Sequence, residues 1–147
     1  MKKVAEISSL FTSNKLKVTP QRVAVYQTLS ELRHASADEV IKVMSVTSPT
    51  VTVATVYNVL DCLSENGIIS KISTADNRMY FDINIHDHGH LYCRQTHKLE
   101  DFEDPELINM IEDYIKRQKI DNFKVENIKL FIEGTFEKII KLLTEKT

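Results

Sequence analysis

Tyr80 to His90 reads YFDINIHDHGH, and its last five residues hold three of the chain's five histidines. In an extended strand, side chains at i and i+2 share a face, so His88 and His90 can address one ligand while Gly89 keeps the backbone pliable. Neutral imidazoles suit iron, zinc, nickel, copper and manganese, and adjacent carboxylates such as Asp82 favour the harder, oxygen-tolerant end of that series. The competing reading is a polar loop with solvated histidines. Their density beside the strand-like MYFDI run favours a ligand cluster.

Several elements must position this cluster. Val4, Ile7, Leu10 and Phe11 form a helical stripe. Thr19 before Pro20 is a helix start, and the helix that follows is expected to bury Val23, Tyr26, Leu29 and Leu32. Ser36 and Glu39 have capping-box spacing and open a third helix with Val40, Ile41 and Met44 on its apolar side. Thr52 caps a fourth, which stops at Asn66 and Gly67. Two strands, IISKIS and RMYFDI, then flank a turn containing Asp76 and Asn77.

Helices followed by a small hairpin are the order of a winged helix, in which one helix enters the DNA major groove and the hairpin meets the backbone. In the fourth helix Val56, Leu60 and Leu63 are the inward residues. The other face carries Thr52, Thr55, Asn58 and Asp61, while Tyr57 can reach a phosphate or a neighbouring helix. An ordinary amphipathic helix with a solvated face is the alternative, and the wing favours DNA.

Beyond His90, LYC and KLEDF read as strands around the turn RQTH. Pro105 opens a helix with Leu107, Ile108, Ile111 and Ile115 on one side. VENIKLFIEG alternates as a strand with Val125, Ile128, Leu130 and Ile132 inward, and FEKIIKLL reads as a closing helix. The expected fold is α+β, with a winged-helix DNA-binding domain over residues 1–82, a hinge at 83–87 and a small α/β dimerisation domain at 88–147. The latter has little room for a private core, so pairing with a second copy is expected to complete it.

Composition limits the function classes. The chain has 147 residues, 42% of them hydrophobic, and a net charge of −2, which argues against general nucleic-acid affinity. Through Arg78, nine Lys/Arg face seven Asp/Glu; from Met79 onward, ten face fourteen. A mildly basic front and an acidic back are compatible with a DNA-binding front end. No apolar run reaches the ~20 residues a membrane helix needs, and the N-terminus lacks a signal-peptide pattern, so a cytoplasmic location is expected. Cys62 and Cys93 form no CxxC and read as half-buried apolar thiols.

VTPQR at 18–22, HASADEV at 34–40, VATVYNVL at 53–60 and HxH at His88 followed by EDF at 100–102 stand in order, and on them the chain resembles the ferric uptake regulator family over nearly its whole length. That resemblance implies a dimeric metal-dependent repressor on a near-palindromic double-stranded DNA operator. It implies one regulatory Fe(II) or Mn(II) held between the domains by His34, Asp82, His88, His90 and Asp101. Arg22 and Tyr57 would contact phosphate, with Thr52, Thr55 and Asn58 on the recognition helix. Asp101 and Asn58 resemble the peroxide-responsive branch rather than the iron-responsive one, whose members favour glutamate and arginine there. In that branch iron-catalysed oxidation of ligand histidines, here His34 and His88, ends repression.

Two departures from the family pattern matter. Of the two CxxC pairs of the family's structural zinc clamp, only Cys93 remains: Thr96 replaces its partner, and Phe136 and Ile139 stand in the second pair's place. Structural zinc is therefore expected to be absent, with packing in its stead. A frequent second sensory site finds Asp87 and Gly89 here but apolar Ile108 and Val125, and is expected to be missing. His86 and His97 then read as surface side chains. A metal-uptake regulator is the alternative function, and a non-haem metalloenzyme the alternative of another class; neither a substrate-pocket signature nor a positioned nucleophile supports the enzyme.

Overall fold

Helix starts lie where the short polar residues place them. Thr19 Oγ1 accepts the backbone N–H of Arg22, and Thr52 Oγ1 that of Thr55, each at 3.2 Å. Ser36 and Glu39 close the capping box in both directions, at 3.2 and 2.7 Å. Each bond satisfies a donor left orphaned by the first helical turn. In this computed structural model, which describes residues 2–86 and 88–137, the fold is α+β. The chain divides into two compact units, Met1–Ile85 and His86–Thr147.

The first unit runs α1 (Val4–Ser13), α2 (Pro20–Leu32), β1 (His34–Ser36), α3 (Ala37–Thr47), α4 (Val53–Glu65), β2 (Ser70–Ser73) and β3 (Met79–Asp82). Gly67, just past the Asn66 C-cap, has φ +70°, the left-handed turn that ends α4. The three strands form an antiparallel sheet in the order β1-β3-β2. Ile7, Phe11, Val25, Tyr26, Leu29, Val40, Met44, Val56, Leu60 and Leu63 close a core between helices and sheet. Val4 and Leu32, expected inward, are 55% and 36% exposed. Both are the terminal residues of their helices, where the chain beyond turns away before a neighbour covers them.

β1 was not foreseen. Three residues carry too little alternation to register as a strand. It exists because β3 supplies a partner 46 residues later in the chain, pairing His34 with Asp82 and Ser36 with Tyr80.

In the second unit β4 (Gly89–Cys93) and β5 (Leu99–Phe102) form a hairpin, α5 spans Pro105–Gln118, and β6 (Phe131–Gly134) lies parallel to β4, giving the order β5-β4-β6. Asp104 caps α5 by accepting the N–H of Leu107 at 3.0 Å. The alternation from Val125 onward becomes a strand only over its last four residues. Val125 and Ile132 are 37% and 38% exposed, and Ile128 and Leu130 only half-buried. Alternation reports a half-covered face, and β6 is limited by the short β4 it pairs with. The closing helix expected over FEKIIKLL lies almost wholly outside the described residues, as do Ile139 and Asp87. Among the described residues no helix is long and apolar enough to cross a membrane.

Candidate functional site

The β4–β5 hairpin places His90 directly opposite Asp101. His88 stands one residue before β4, two positions from His90 and on the same side. As a result, His88 Nε2 and His90 Nε2 both approach one carboxylate oxygen, Asp101 Oδ1, at 3.2 and 3.6 Å. The two rings lie 4.4 Å apart between centroids. Both histidine side chains are almost covered, and Asp101 is about three-tenths exposed.

Gly89 holds this arrangement together by its smallness. A Cβ there would meet Phe102 O at 3.1 Å and Leu130 Cβ at 3.3 Å, so the glycine is required by close approach of β5 and the segment entering β6, rather than by pliability. Its backbone lets the strands close on the HxH pair.

The protonation pattern follows from the partners. His88 Nδ1 lies 2.6 Å from the carbonyl oxygen of His86, which can only accept, so Nδ1 carries the hydrogen. In the neutral ring Nε2 is then a lone pair facing the lone pairs of Asp101. Two bare acceptors at 3.2 Å repel, so a proton or a metal ion must lie between them. The donor atoms of His88, His90 and Asp101 all lie within 4.8 Å of one another, and a ring nitrogen freed by a backbone acceptor is how ligand histidines are usually oriented. The donor set therefore fits a divalent ion of the iron and manganese type. It holds three of the five expected ligands. The other two, His34 and Asp82, belong to the first unit, where they face each other across β1 and β3. Asp82 is buried, and one of its oxygens accepts the N–H of Asn84 at 2.8 Å.

On the first unit, α4 presents Thr52, Tyr57 and Asn58 to solvent with Thr55 half-covered. The Thr52 and Thr55 hydroxyls share a hydrogen bond of 2.9 Å, so capping consumes part of their capacity. The Asn58 side chain makes no hydrogen bond to any described residue, and its whole amide is available. Tyr57 turns to the neighbouring helix, donating to Asp38 Oδ1 at 3.1 Å. Asp38, unremarked in the sequence beyond its place in the first turn of α3, is the residue that sequence reasoning missed. Asp61, on the same face, pairs with Lys71 of the wing at 2.7 Å. Arg22 stands apart on α2, its guanidinium anchored to the Lys17 carbonyl at 2.7 Å.

Cys93 and His97 depart from expectation. Cys93 is buried, and its thiol is lowered to about 7, first by the Thr96 hydroxyl and then by the Thr96 N–H, with smaller help from the N–H groups of Phe136 and Gln95; burial opposes them. His97 is half-buried, with Nδ1 2.9 Å from the Tyr92 hydroxyl. Arg94 grips Glu133 through Nε and Nη2 at 3.1 and 3.0 Å, and Lys98 Nζ lies 5.8 Å from the centre of the Phe136 ring. These contacts join the β4–β5 turn to β6 and the segment after it.

Comparisons with known proteins bear on the fold and the family. The ferric uptake regulator family model matches residues 13–133. The peroxide-responsive repressor PerR of Staphylococcus aureus strain Mu50 is 36% identical over 120 residues, covering 81% of this chain and 79% of that protein. Among solved structures, the manganese-containing ferric uptake regulator of Pseudomonas aeruginosa aligns with a TM-score of 0.74 at 26% identity, over 88% of this chain and 97% of its own. The Campylobacter jejuni peroxide stress regulator aligns at 0.66 and 22%, over 92% and 97%, a likeness of fold. With matching motifs, fold and sequence over most of its length, the chain belongs to the ferric uptake regulator family.

Proposed function

We propose that this protein is a metal-dependent transcriptional repressor that responds to hydrogen peroxide. The observation that carries the reading is the convergence of His88 Nε2, His90 Nε2 and Asp101 on one point, with the His88 tautomer set by the His86 carbonyl. The likeness to the S. aureus peroxide-responsive repressor supports the peroxide branch, as does aspartate rather than glutamate at position 101.

His34 and Asp82 complete the ligand set, so that one Fe(II) or Mn(II) draws on both units. Because the ligands come from both sides, metal favours one arrangement of the units, by as much as its affinity differs between arrangements. In that arrangement a homodimer presents two α4 helices to the half-sites of a near-palindromic operator in the cytoplasm. Asn58 offers its amide to a base edge, Thr52 and Thr55 lie along the same groove face, and Arg22 meets the backbone, while the Tyr57 hydroxyl is held by Asp38.

Fe(II), when bound, would activate hydrogen peroxide beside the imidazoles. In each event one peroxide oxygen would be inserted at the C2–H of either His34 or His88, giving 2-oxo-histidine, and the other would leave as water. An oxidised imidazole is a poorer donor, the ligand set falls apart, and repression ends for that molecule. Peptide mass spectrometry after dilute peroxide tests this. One added oxygen on the His34 or His88 peptide of Fe(II)-treated protein, absent with Mn(II), supports the reading; DNA release with unmodified histidines, or oxidation confined to Cys62 and Cys93, overturns it. Asp101→Glu should keep metal-dependent DNA binding and lose much of the peroxide response.

A further inference from the structure

The hydroxyl of Tyr57 is committed before any DNA arrives. Tyr57 lies on the open face of α4, 44% exposed, and its phenolic oxygen stands 3.1 Å from Oδ1 of Asp38, 19 residues earlier in the first turn of α3. A carboxylate only accepts, so the single hydroxyl proton points at Asp38 and the oxygen keeps nothing but lone pairs for a visitor. A phosphate oxygen also only accepts. Tyr57 therefore has no proton for the DNA backbone unless Asp38 gives it up. Asp38 also sets a negative charge beside the place where a phosphate contacted by Tyr57 would lie. One turn of the same helix offers the contrast: the Asn58 amide is unengaged, with both donor and acceptor free for a base edge.

We infer that Asp38 is a positioning residue acting through Tyr57: it withholds the hydroxyl from phosphate, keeps affinity for unrelated sequence low, and leaves discrimination to base-facing groups such as Asn58. The inference rests on α4 being the DNA-reading helix. Phosphate contacts add affinity on every sequence alike, whereas base contacts add it only on the right one, so a residue that suppresses one phosphate contact raises the specificity ratio. The raised pKa of Tyr57, caused first by its hydrogen bond to Asp38 and then by that residue's charge, agrees with a proton held firmly in this bond.

The test uses the full-length protein with Mn(II) at one fixed salt concentration. Two probes are compared: a duplex enriched from a random pool by the wild type, and an unrelated duplex of equal length. In Asp38→Asn the side-chain amide can donate to the Tyr57 oxygen, which frees the phenolic proton. Affinity for the unrelated duplex should rise about tenfold, the worth of one hydrogen bond to a charged oxygen, and the enriched-to-unrelated ratio should fall. In a Tyr57→Phe background the same substitution should change nothing beyond about twofold, the usual limit of independence between sites. Tyr57→Phe alone, which keeps the Asp38 charge and the helix start, should leave binding to the unrelated duplex unchanged within that limit, and it serves should Asp38→Asn fail to fold. An equal gain in the Tyr57→Phe background would show the charge acting directly on DNA and overturn the inference. So would no gain in folded Asp38→Asn, or weaker unrelated binding in Tyr57→Phe. A wild type that enriches and binds no duplex overturns instead the DNA-reading assignment on which the inference stands.

Discussion

Between Ile7 and Phe81 the first unit closes a continuous apolar core drawn from all four of its helices and its sheet, whereas the second unit buries only Tyr92, Cys93 and Leu99 among its described apolar side chains. The contrast is sharpest in their helices. α4 buries Val56, Val59, Leu60 and Leu63, while α5, with an equally regular stripe, buries none of its residues. Met110, Tyr114, Ile120 and Phe123 stand more than half exposed. A helix gains most of its stability from packing its apolar face, so α4 is supported within the chain and α5 awaits a cover. If a second copy supplies one, as expected for this family, the first unit should fold without a partner and the second should depend on pairing.

Core substitution should break this contrast most strongly. Leu60→Ala, at a fully buried position, is expected to cost the first unit about 2–5 kcal/mol in chemical denaturation. Ile111→Ala on half-buried α5 should cost less at high protein concentration and make the melting temperature depend on concentration. A concentration-independent melt in that variant would remove the pairing argument.

A charge on the uncovered face comes next. Phe123→Glu should convert dimer to monomer in light scattering and cost about 2 kcal/mol or more of association, as truncating an aromatic anchor does. Chelator alone should not do this. Three of the family's four clamp thiolates are missing, so the second unit is expected to hold together without structural zinc, and dissociation or unfolding on chelation would contradict that expectation.

On the first unit the expected effects are smaller and read on DNA. Asn58→Ala should lose about 1–3 kcal/mol of discrimination between bases with little change on unrelated duplex. Arg22→Ala should weaken all sequences alike and reduce the salt slope by about one. The reverse assignment of these two phenotypes would mean that α4 is not the helix that reads the groove.

The smallest effect concerns Cys93. Its thiol titrates at about 7 in the fold against an ordinary 9.0. A depressed acid stabilises the fold above the ordinary value, and that contribution declines as pH falls from 9 toward 7 and is lost below the folded pKa. Thiolate absorbance in a Cys62→Ala background should therefore show a midpoint near pH 7, moved upward by Thr96→Val. A midpoint at the ordinary thiol value in the parent would refute the hydrogen-bond account.

Much of the architecture was legible because it is local. The caps at Thr19, Ser36 and Thr52, the stop at Gly67 and the apolar spacing of α4 each act within a turn or two of chain. HxH likewise announced its pairing through strand alternation alone. Less local facts were hidden. β1 is a strand only because Asp82 and Tyr80 lie beside it, and the partner of Tyr57 is 19 residues away on another helix. The requirement for Gly89 comes from Phe102 and Leu130, neither of which is its neighbour in the chain.

Sequence by itself determined the order of elements, the α4 stripe, the HxH pair and the loss of the zinc thiolates, since each depends on residue type and spacing along one continuous segment. Only the tertiary structure decided that Asp101 stands opposite His90, that the His86 carbonyl turns the His88 lone pair toward it, and that Asp38 holds the Tyr57 proton. Those are relations between segments brought together by strand register and helix packing. Hydrogen bonds act over about 3 Å in space, whatever the separation along the chain.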